Sequence, residues 1–150
     1  MAKENDFYQV SLKAILKNEK GEVLVLGGLA GGSYEGFYDL PGGRIDKNEF
    51  TVPLPVIMAR EIKEEIGDIE FSLSEIPVAV GRHLLKPHIS YESEDTHVLY
   101  LFYEARYISG EIKVSEEHNG FKWLSLEDVE LEKYFKSGIL EGMKMYLAKK

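Results

Sequence analysis

The segment Arg60-Glu61-Ile62-Lys63-Glu64-Glu65-Ile66-Gly67 crowds three carboxylates together, and a glycine pair, Leu40-Pro41-Gly42-Gly43-Arg44, precedes it. On a helix turning about 100° per residue, Glu61, Glu64 and Glu65 share one arc. It lies beside the arc of Met58, Ala59, Ile62 and Ile66. The acids therefore border a buried stripe instead of crossing a solvated face. Like charges one turn apart destabilise a helix by about 0.2–0.5 kcal/mol per pair, and poor solvation raises that cost. A hard divalent cation reverses the sign. Mg²⁺ takes oxygen ligands and keeps positions open for water and a substrate phosphate. Gly42 and Gly43 lack side chains, so the backbone there can approach the same ion or a phosphate closely. Pro41 stiffens the entry, and Arg44 offers a planar donor to phosphate. Taken singly, an acidic helix face is a solvated face and Pro-Gly-Gly is a turn. The combination describes a site that handles metal and phosphate.

Other constellations say less. The run Gly27-Gly28-Leu29-Ala30-Gly31-Gly32 fits neither GxxxxGK[ST] nor GxGxxG and reads as a loop. Ser33 misses the GxSxG elbow, because Glu35 stands where the last glycine is needed. His83, His88, His97 and His118 lack HExxH-type spacing and read as surface or core-edge histidines. Tyr34, Phe37, Tyr38, Tyr91 and Trp123 are candidates to stack on a base, and Arg82 and Lys86 to meet phosphate. The polar loop from Pro87 to Asp95 is placed to cover the site.

The elements that must position these residues follow from periodicity. Between Phe7 and Leu16, apolar Val10, Leu12, Ala14 and Leu16 alternate with Gln9, Ser11 and Lys13, which predicts a half-buried strand. Asn18-Glu19-Lys20-Gly21 turns it into the apolar Val23–Leu26, a hairpin. A helix is expected over Pro55–Ile66, stopped by Gly67, after an extended loop from Phe50 to Pro55. A strand over Phe71–Val80 is interrupted by Pro77. Thr96–Tyr107 carries the strongest strand signal, and Ser109-Gly110 turns it toward Glu111–Val114. Phe121–Leu124 is a short strand, and Ser125 with Asp128 resembles a helix start. The spacing of Tyr134, Phe135, Ile139, Leu140, Met143 and Leu147 predicts a helix from Leu131 to Leu147. Strands and helices mix without strict alternation, which predicts an α/β fold with a mixed sheet covered by helices.

The composition suits one domain over residues 1–150, with 44% hydrophobic and 29% charged residues. Absence of cysteine excludes a disulfide scaffold, a Cys-based zinc site and a thiol nucleophile, and is compatible with the cytoplasm. A net charge of −8 argues against a duplex DNA binder. It does not argue against an anionic substrate, since a bound cation inverts the local field. The N-terminus has no apolar signal core, and no run reaches membrane-spanning length.

The same residues resemble the box of the Nudix hydrolases, G-x5-E-x7-R-E-U-x-E-E-x-G-U with U a bulky apolar residue. Gly43 is followed at the right distance by Glu49, and Arg60 to Gly67 matches the second half residue for residue. Gly36-Phe37-Tyr38-Asp39-Leu40-Pro41-Gly42 is similar to the approach to that box. So is Glu116-Glu117-His118 with Phe121 to Asp128 to a later family segment. Two departures stand out. Ten residues, Phe50 to Ala59, separate Glu49 from Arg60 where the family has seven, and Asp68 takes the final apolar position. The resemblance implies an α/β/α sandwich around a mixed β-sheet, and hydrolysis of a diphosphate linkage in a nucleoside diphosphate derivative. It implies Mg²⁺, with Mn²⁺ as a substitute, on Glu61, Glu64, Glu65 and the Gly42 carbonyl, with Gly43 and Arg44 near the phosphates. The base is Glu64, Glu65 or a later-loop residue such as Glu117, and Arg60 orients the carboxylates. Glu49 has the family role of supporting that arginine, which the insertion puts in question. The implied partner is a nucleotide-type small molecule, without membrane or duplex nucleic acid, and a homodimer is left open. Two rivals share the fold. A binding-only nucleotide sensor would be favoured by the insertion, whereas isopentenyl-diphosphate isomerase chemistry implies a cysteine that the chain lacks.

Overall fold

A computed structural model describes residues 2–87 and 94–149. Its centre is a parallel pair, β1 (Tyr8–Lys17) beside β7 (Thr96–Ser109), in register from Tyr8 opposite His97 to Lys17 opposite Arg106. Each of these long strands serves two partners along its outer edge. On β1 these are β4 (Gly42–Arg44) toward the start and β2 (Val23–Gly27) at the end, both antiparallel. On β7 they are β6 (Ala79–Leu85) and β5 (Glu70–Leu73), also antiparallel. β3 (Tyr38–Asp39) and β8 (Phe121–Leu124) pair with β2 and complete an eight-stranded mixed sheet.

One helix covers each face. α1 (Leu54–Ile66) packs Ile57, Met58, Ile62 and Ile66 onto Leu12, Ala14, Leu16, Leu24 and Leu26. α2 (Ser137–Ala148) packs Ile139, Met143 and Tyr146 onto Ile15, Val23, Val25 and Phe102. This is the expected α/β/α sandwich. Each large apolar side chain so buried contributes about 1.5–3 kcal/mol.

Helical cover on both faces corrects the reading of β1. The strand is buried on both sides from Ser11 to Leu16, not half-buried, because a strand at the centre of a helix-covered sheet has no solvent face. Its polar alternates, Ser11 and Lys13, are themselves buried.

The helix α1 begins one residue earlier than expected, with Pro53 as its N-cap and Pro55 in the first turn, where a missing N–H costs nothing. The preceding segment is not an extended loop. It runs instead through a turn at residues 50–52, directly after a 3₁₀ turn at Lys47–Glu49. At the other end Gly67, with φ 96°, caps the helix through a bond from its N–H to the Lys63 carbonyl.

Residues 111–114 form no strand. Their length is spent on the helix, since the Lys113 N–H donates to the Ile66 carbonyl and the Ser115 N–H to the Glu65 carbonyl, both at 2.9 Å. These are orphan carbonyls at a helix end, and satisfying them straps the 115–118 loop to α1. The Pro-Gly-Gly segment is not a free turn either. Gly42 and Gly43 lie in β4, and a Cβ on Gly42 would fall 1.8 Å from the Leu12 carbonyl oxygen.

Toward the C-terminus, Ser125 starts no helix, and Asp128 adopts a positive φ of 55°. The expected helix from Leu131 is broken into a 3₁₀ turn (Leu131–Lys133) and α2, whose first residue, Ser137, has φ 55°. The Tyr134 carbonyl accepts from the Tyr38 N–H at 2.9 Å, which holds it out of a helical path. Phe71 to Val80 is two strands, β5 and β6, with Pro77 in the connection. No helix among the described residues is long and apolar enough to cross a membrane.

Candidate active site

Gly42, Gly43, Arg44, Arg60, Glu61, Glu64, Glu65 and Glu117, the metal, phosphate and acid–base candidates of the sequence, line one cleft of about 540 Å³. Two of the three α1 carboxylates are turned inward. Glu61 is 7% exposed and Glu65 5%, whereas the Glu64 side chain is 58% exposed at the rim. Gly43 sits against the first of them. A Cβ there would lie 2.2 Å from Glu61 Oε2, so only glycine lets β4 approach the carboxylate so closely.

Arg60 ties the cluster together. Its Nε and Nη2 donate to the two oxygens of Glu49 at 3.0 and 2.9 Å, a bidentate pair. Its Nη1 donates to Glu64 at 3.0 Å and lies 3.1 Å from Glu61 Oε1. The Glu49 carboxylate also accepts from the Asp46 N–H at 2.9 Å. The insertion thus leaves the Glu49–Arg60 contact intact, because the 3₁₀ turn holds Glu49 facing α1. Glu49→Gln and Arg60→Ala, measured singly and together, are expected to be non-additive in kcat by about 0.5–3 kcal/mol, the range for directly contacting residues. Additive losses would show the contact to be idle.

The second wall is the 115–118 loop. Glu65 Oε2 accepts from Ser115 Oγ at 3.0 Å and lies 2.9 Å from His118 Nε2. Glu65, Glu117 and His118 offer ligand atoms within 4.8 Å of one another. Ser115 is absent from the candidates the sequence offers, and His118, expected at the surface or core edge for want of HExxH-type spacing, instead lies against Glu65 in the cleft wall. The signal that marks His118 is its place directly after Glu117, in the same loop.

The electrostatics separate the carboxyls. Burial pushes the Glu61 carboxyl above its ordinary value, only partly opposed by Arg60, and Glu64 and Glu65 add to the push. Burial also acts on Glu65, but hydrogen bonds from His118, Glu117 and Ser115 outweigh it and hold that carboxyl low. The bond to Glu65 and its charge raise Glu117. Glu61 is therefore the destabilised anion. Below the ordinary glutamate value of about 4.3 both states are protonated and its contribution vanishes. As pH rises through the raised folded-state value, the folded protein must release a proton it holds more tightly than the unfolded chain, and stability falls. Metal-free Glu61→Gln is expected to melt above the wild type at neutral pH by about 0.2–0.5 kcal/mol per like-charged pair relieved. The difference should close near pH 4, and thermal melts in chelator at both pH values check it. An unchanged or lower neutral-pH stability would contradict this reading.

These atoms suit a hard divalent cation: oxygen donors, inward-turned and mutually repelling, beside a glycine backbone that leaves room.

A second hollow of about 340 Å³ adjoins the cleft and shares Gly43, Arg44 and Glu117 with it. It holds Tyr34 and His83. Arg44 is exposed at the seam, with Nη1 donating to Gln9 Oε1 at 2.5 Å. The other substrate candidates scatter. Phe37 lies under Lys136, Tyr38 stacks on Tyr134, and Trp123 packs on Tyr107. Arg82 lines a separate hollow with Tyr8 and Glu141, and Lys86 pairs with Asp95 at 3.3 Å. His97 pairs with Asp6 at 2.7 Å, away from the cleft. Tyr91, His88 and the middle of the proposed covering loop lie outside the described residues.

The NUDIX domain family model matches residues 7–143, nearly the whole chain. The chain belongs to the Nudix hydrolases. This places it among pyrophosphohydrolases of nucleotide derivatives, a family that uses divalent metal. It is similar to the nucleoside triphosphatase NudI of Escherichia coli, 27% identical over 100 residues, covering 65% of this chain and 68% of that one. It also resembles the MutT protein of Methanosarcina mazei, with TM-score 0.70 and 25% identity over 95% of this chain and 94% of that one. An ADP-ribose pyrophosphatase from Streptococcus suis shares the fold, with TM-score 0.62 at 19% identity over 95% and 92%. Three extra residues separate Glu49 from Arg60 relative to the box pattern, and the Arg60–Glu49 pair spans them.

Proposed function

We propose that this Nudix hydrolase cleaves the diphosphate linkage of a nucleoside triphosphate or related nucleoside diphosphate derivative, using Mg²⁺. One observation carries the reading: three α1 carboxylates, the β4 glycines and Glu117 converge on one cleft that opens into a second, ring-lined hollow. In this reading Glu61, Glu64, Glu65 and the Gly42 carbonyl hold the ion. When bound, Mg²⁺ supplies charge neutralisation on the diphosphate oxygens and lowers the pKa of an attacking water.

The chain's residues do the rest. Arg60 holds the carboxylates of Glu61 and Glu64 in place from one side, and Glu49 fixes Arg60. Ser115 and His118 fix Glu65 from the other. Glu117 reaches the cleft from the loop opposite α1 and takes the proton from the water. Arg44, at the seam between the hollows, pairs with phosphate oxygens as they pass from one to the other. Similarity to a nucleoside triphosphatase puts nucleoside triphosphates first among substrates. The binding-only alternative drew its support from the insertion, and the intact Glu49–Arg60 pair removes that support.

A hydrolysis screen with Mg²⁺ tests the proposal. It should span nucleoside triphosphates, ADP-ribose, dinucleoside polyphosphates and nucleotide sugars. The expected result is turnover of at least one of them to a nucleoside monophosphate. Nucleotide binding without turnover of any member would instead make the chain a sensor.

A further inference from the structure

The glycine-rich loop between β2 and β3 walls the second hollow, and it is fastened by an imidazole that the hydrolytic chemistry does not use. Gly28, Leu29, Gly32, Ser33 and Tyr34 line the hollow from the loop, and His83 of β6 lines it from the sheet. His83 Nε2 lies 3.1 Å from Ser33 Oγ, and its Nδ1 lies 2.7 Å from Ser137 Oγ at the start of α2. The ring stacks on Tyr34, with centroids 5.3 Å apart, and on Tyr100 of β7 at 5.9 Å. The two tyrosine hydroxyls are 2.9 Å from each other. Burial holds the imidazole below its ordinary value; Asp39, itself paired with Lys13, opposes the push, and Lys13 and Lys136 add to it. A neutral ring has one donor and one acceptor nitrogen, and each serine hydroxyl can take either part, so both bonds are made together.

The backbone on both sides of this bridge gives it a role beyond packing. Ser137 presents its hydroxyl to His83 from a φ of 55°. A non-glycine residue keeps such a conformation only where its surroundings over-determine it. Among the described residues, the side-chain hydrogen bonds and ring contacts that tie residues 28–36 to the rest of the protein come from Ser33 and Tyr34. At Gly31 and Gly36, with φ 83° and 80°, an added Cβ would meet nothing within 4 Å. These glycines serve backbone conformation and not space, and such positions absorb the dihedral change of a moving loop. The cleft is held differently. Arg60 and Glu49 lock it through a bidentate charged pair, whereas the loop is held by neutral bonds that each contribute modestly.

We infer that His83 is a positioning residue: it latches the 28–36 loop over the hollow, and so governs how tightly substrate is held and not how fast it is cleaved. The inference rests on the hydrolase reading of the adjoining cleft. His83 stands outside that cleft, away from the carboxylates that would hold the ion. With the latch closed, the loop walls whatever part of the substrate extends beyond the diphosphate. With the latch open, that wall is lost from the bound substrate and from the transition state alike. A loss of that kind raises KM and leaves kcat unchanged.

Two readouts test this, one of them without turnover. His83→Phe keeps a ring between the tyrosines and removes both bonds, whereas Ser33→Ala removes the loop bond alone. Thermal melts verify the folds, and Ser33→Ala decides the matter if His83→Phe does not fold. Hydrogen exchange of the backbone amides of residues 28–36 should quicken at least about fivefold in each variant, with the α1 amides unchanged. On the best substrate from the screen, KM should rise at least about fivefold in each while kcat stays within about twofold. The double variant should be no worse than His83→Phe, because both changes break one contact. Faster exchange with KM unmoved would make the bridge structural and overturn the inference, as would unchanged exchange in Ser33→Ala. A tenfold loss of kcat at constant KM would put His83 in the chemistry and also overturn it. In either case a wild type that turns over nucleotides leaves the hydrolase reading standing. If the wild type turns over no member of the screen, a calorimetric Kd for the nucleotide it binds best replaces KM. Fivefold weaker binding in the variants would then support the latch while the hydrolase reading falls, and unchanged or absent binding would overturn the latch.

Discussion

Glu65→Gln is expected to lower kcat by about 10²- to 10⁴-fold, the range associated with losing a positioned acid–base or charge-stabilising group. Gln keeps the shape and one acceptor oxygen, so the change removes charge from a residue that is almost completely enclosed. KM should move far less, because the lost interaction strengthens as charge develops in the transition state. Glu64→Gln should follow the same pattern with a smaller loss, since that carboxylate stands at the exposed rim and is shared with Arg60. Steady-state kinetics on both variants check this. Near-normal kcat in both would put the chemistry elsewhere in the molecule.

Gly43→Ala is the second large effect, and it isolates geometry from charge. The added methyl would lie 2.2 Å from Glu61 Oε2 and 2.5 Å from its Cδ. No backbone atom is among its nearest contacts, so the strand can stay and the carboxylate must swing away. A displacement of that order costs about 10²-fold in rate when the displaced group orients the reaction. Thermal stability should change little, because the moved group is a side-chain end. Gly42→Ala provides the contrast, with its methyl driven to 1.8 Å from the Leu12 carbonyl oxygen. That variant should lose stability along with activity. Equal kcat in Gly43→Ala and wild type would mean that Glu61 need not sit where it does.

Much of this was legible in the sequence for a physical reason. A helix fixes the relative placement of its own residues, so the grouping of Glu61, Glu64 and Glu65 beside the buried stripe follows from spacing, whereas the exposure of Glu64 at the rim does not. The Gly67 stop and the Val23–Leu26 hairpin strand are likewise local. What escaped depends on tertiary contacts. The alternation in β1 predicts water on one side, but helices cover both faces of the sheet, and Ser11 and Lys13 are buried along the hollow beside the cleft. Residues 111–114 have strand-like content, yet the Lys113 N–H, with that of Ser115 beyond them, satisfies the end of α1. His118 reaches Glu65 only because that strap exists. The Lys13–Asp39 pair joins residues 26 positions apart through the sheet, and no local spacing links them. The fate of the insertion was equally hidden. Its prolines disfavour helix, but only the 3₁₀ turn explains how Glu49 still meets Arg60.

The central claim is that the α1 carboxylates work by holding a divalent cation. Initial rates on the best substrate from the screen, measured in excess EDTA and then with Mg²⁺ or Mn²⁺ restored, test it most directly. The account predicts no turnover in chelator and full recovery with either metal, while Glu61→Gln/Glu65→Gln recovers little at the same metal concentration. Full turnover in excess EDTA would contradict it.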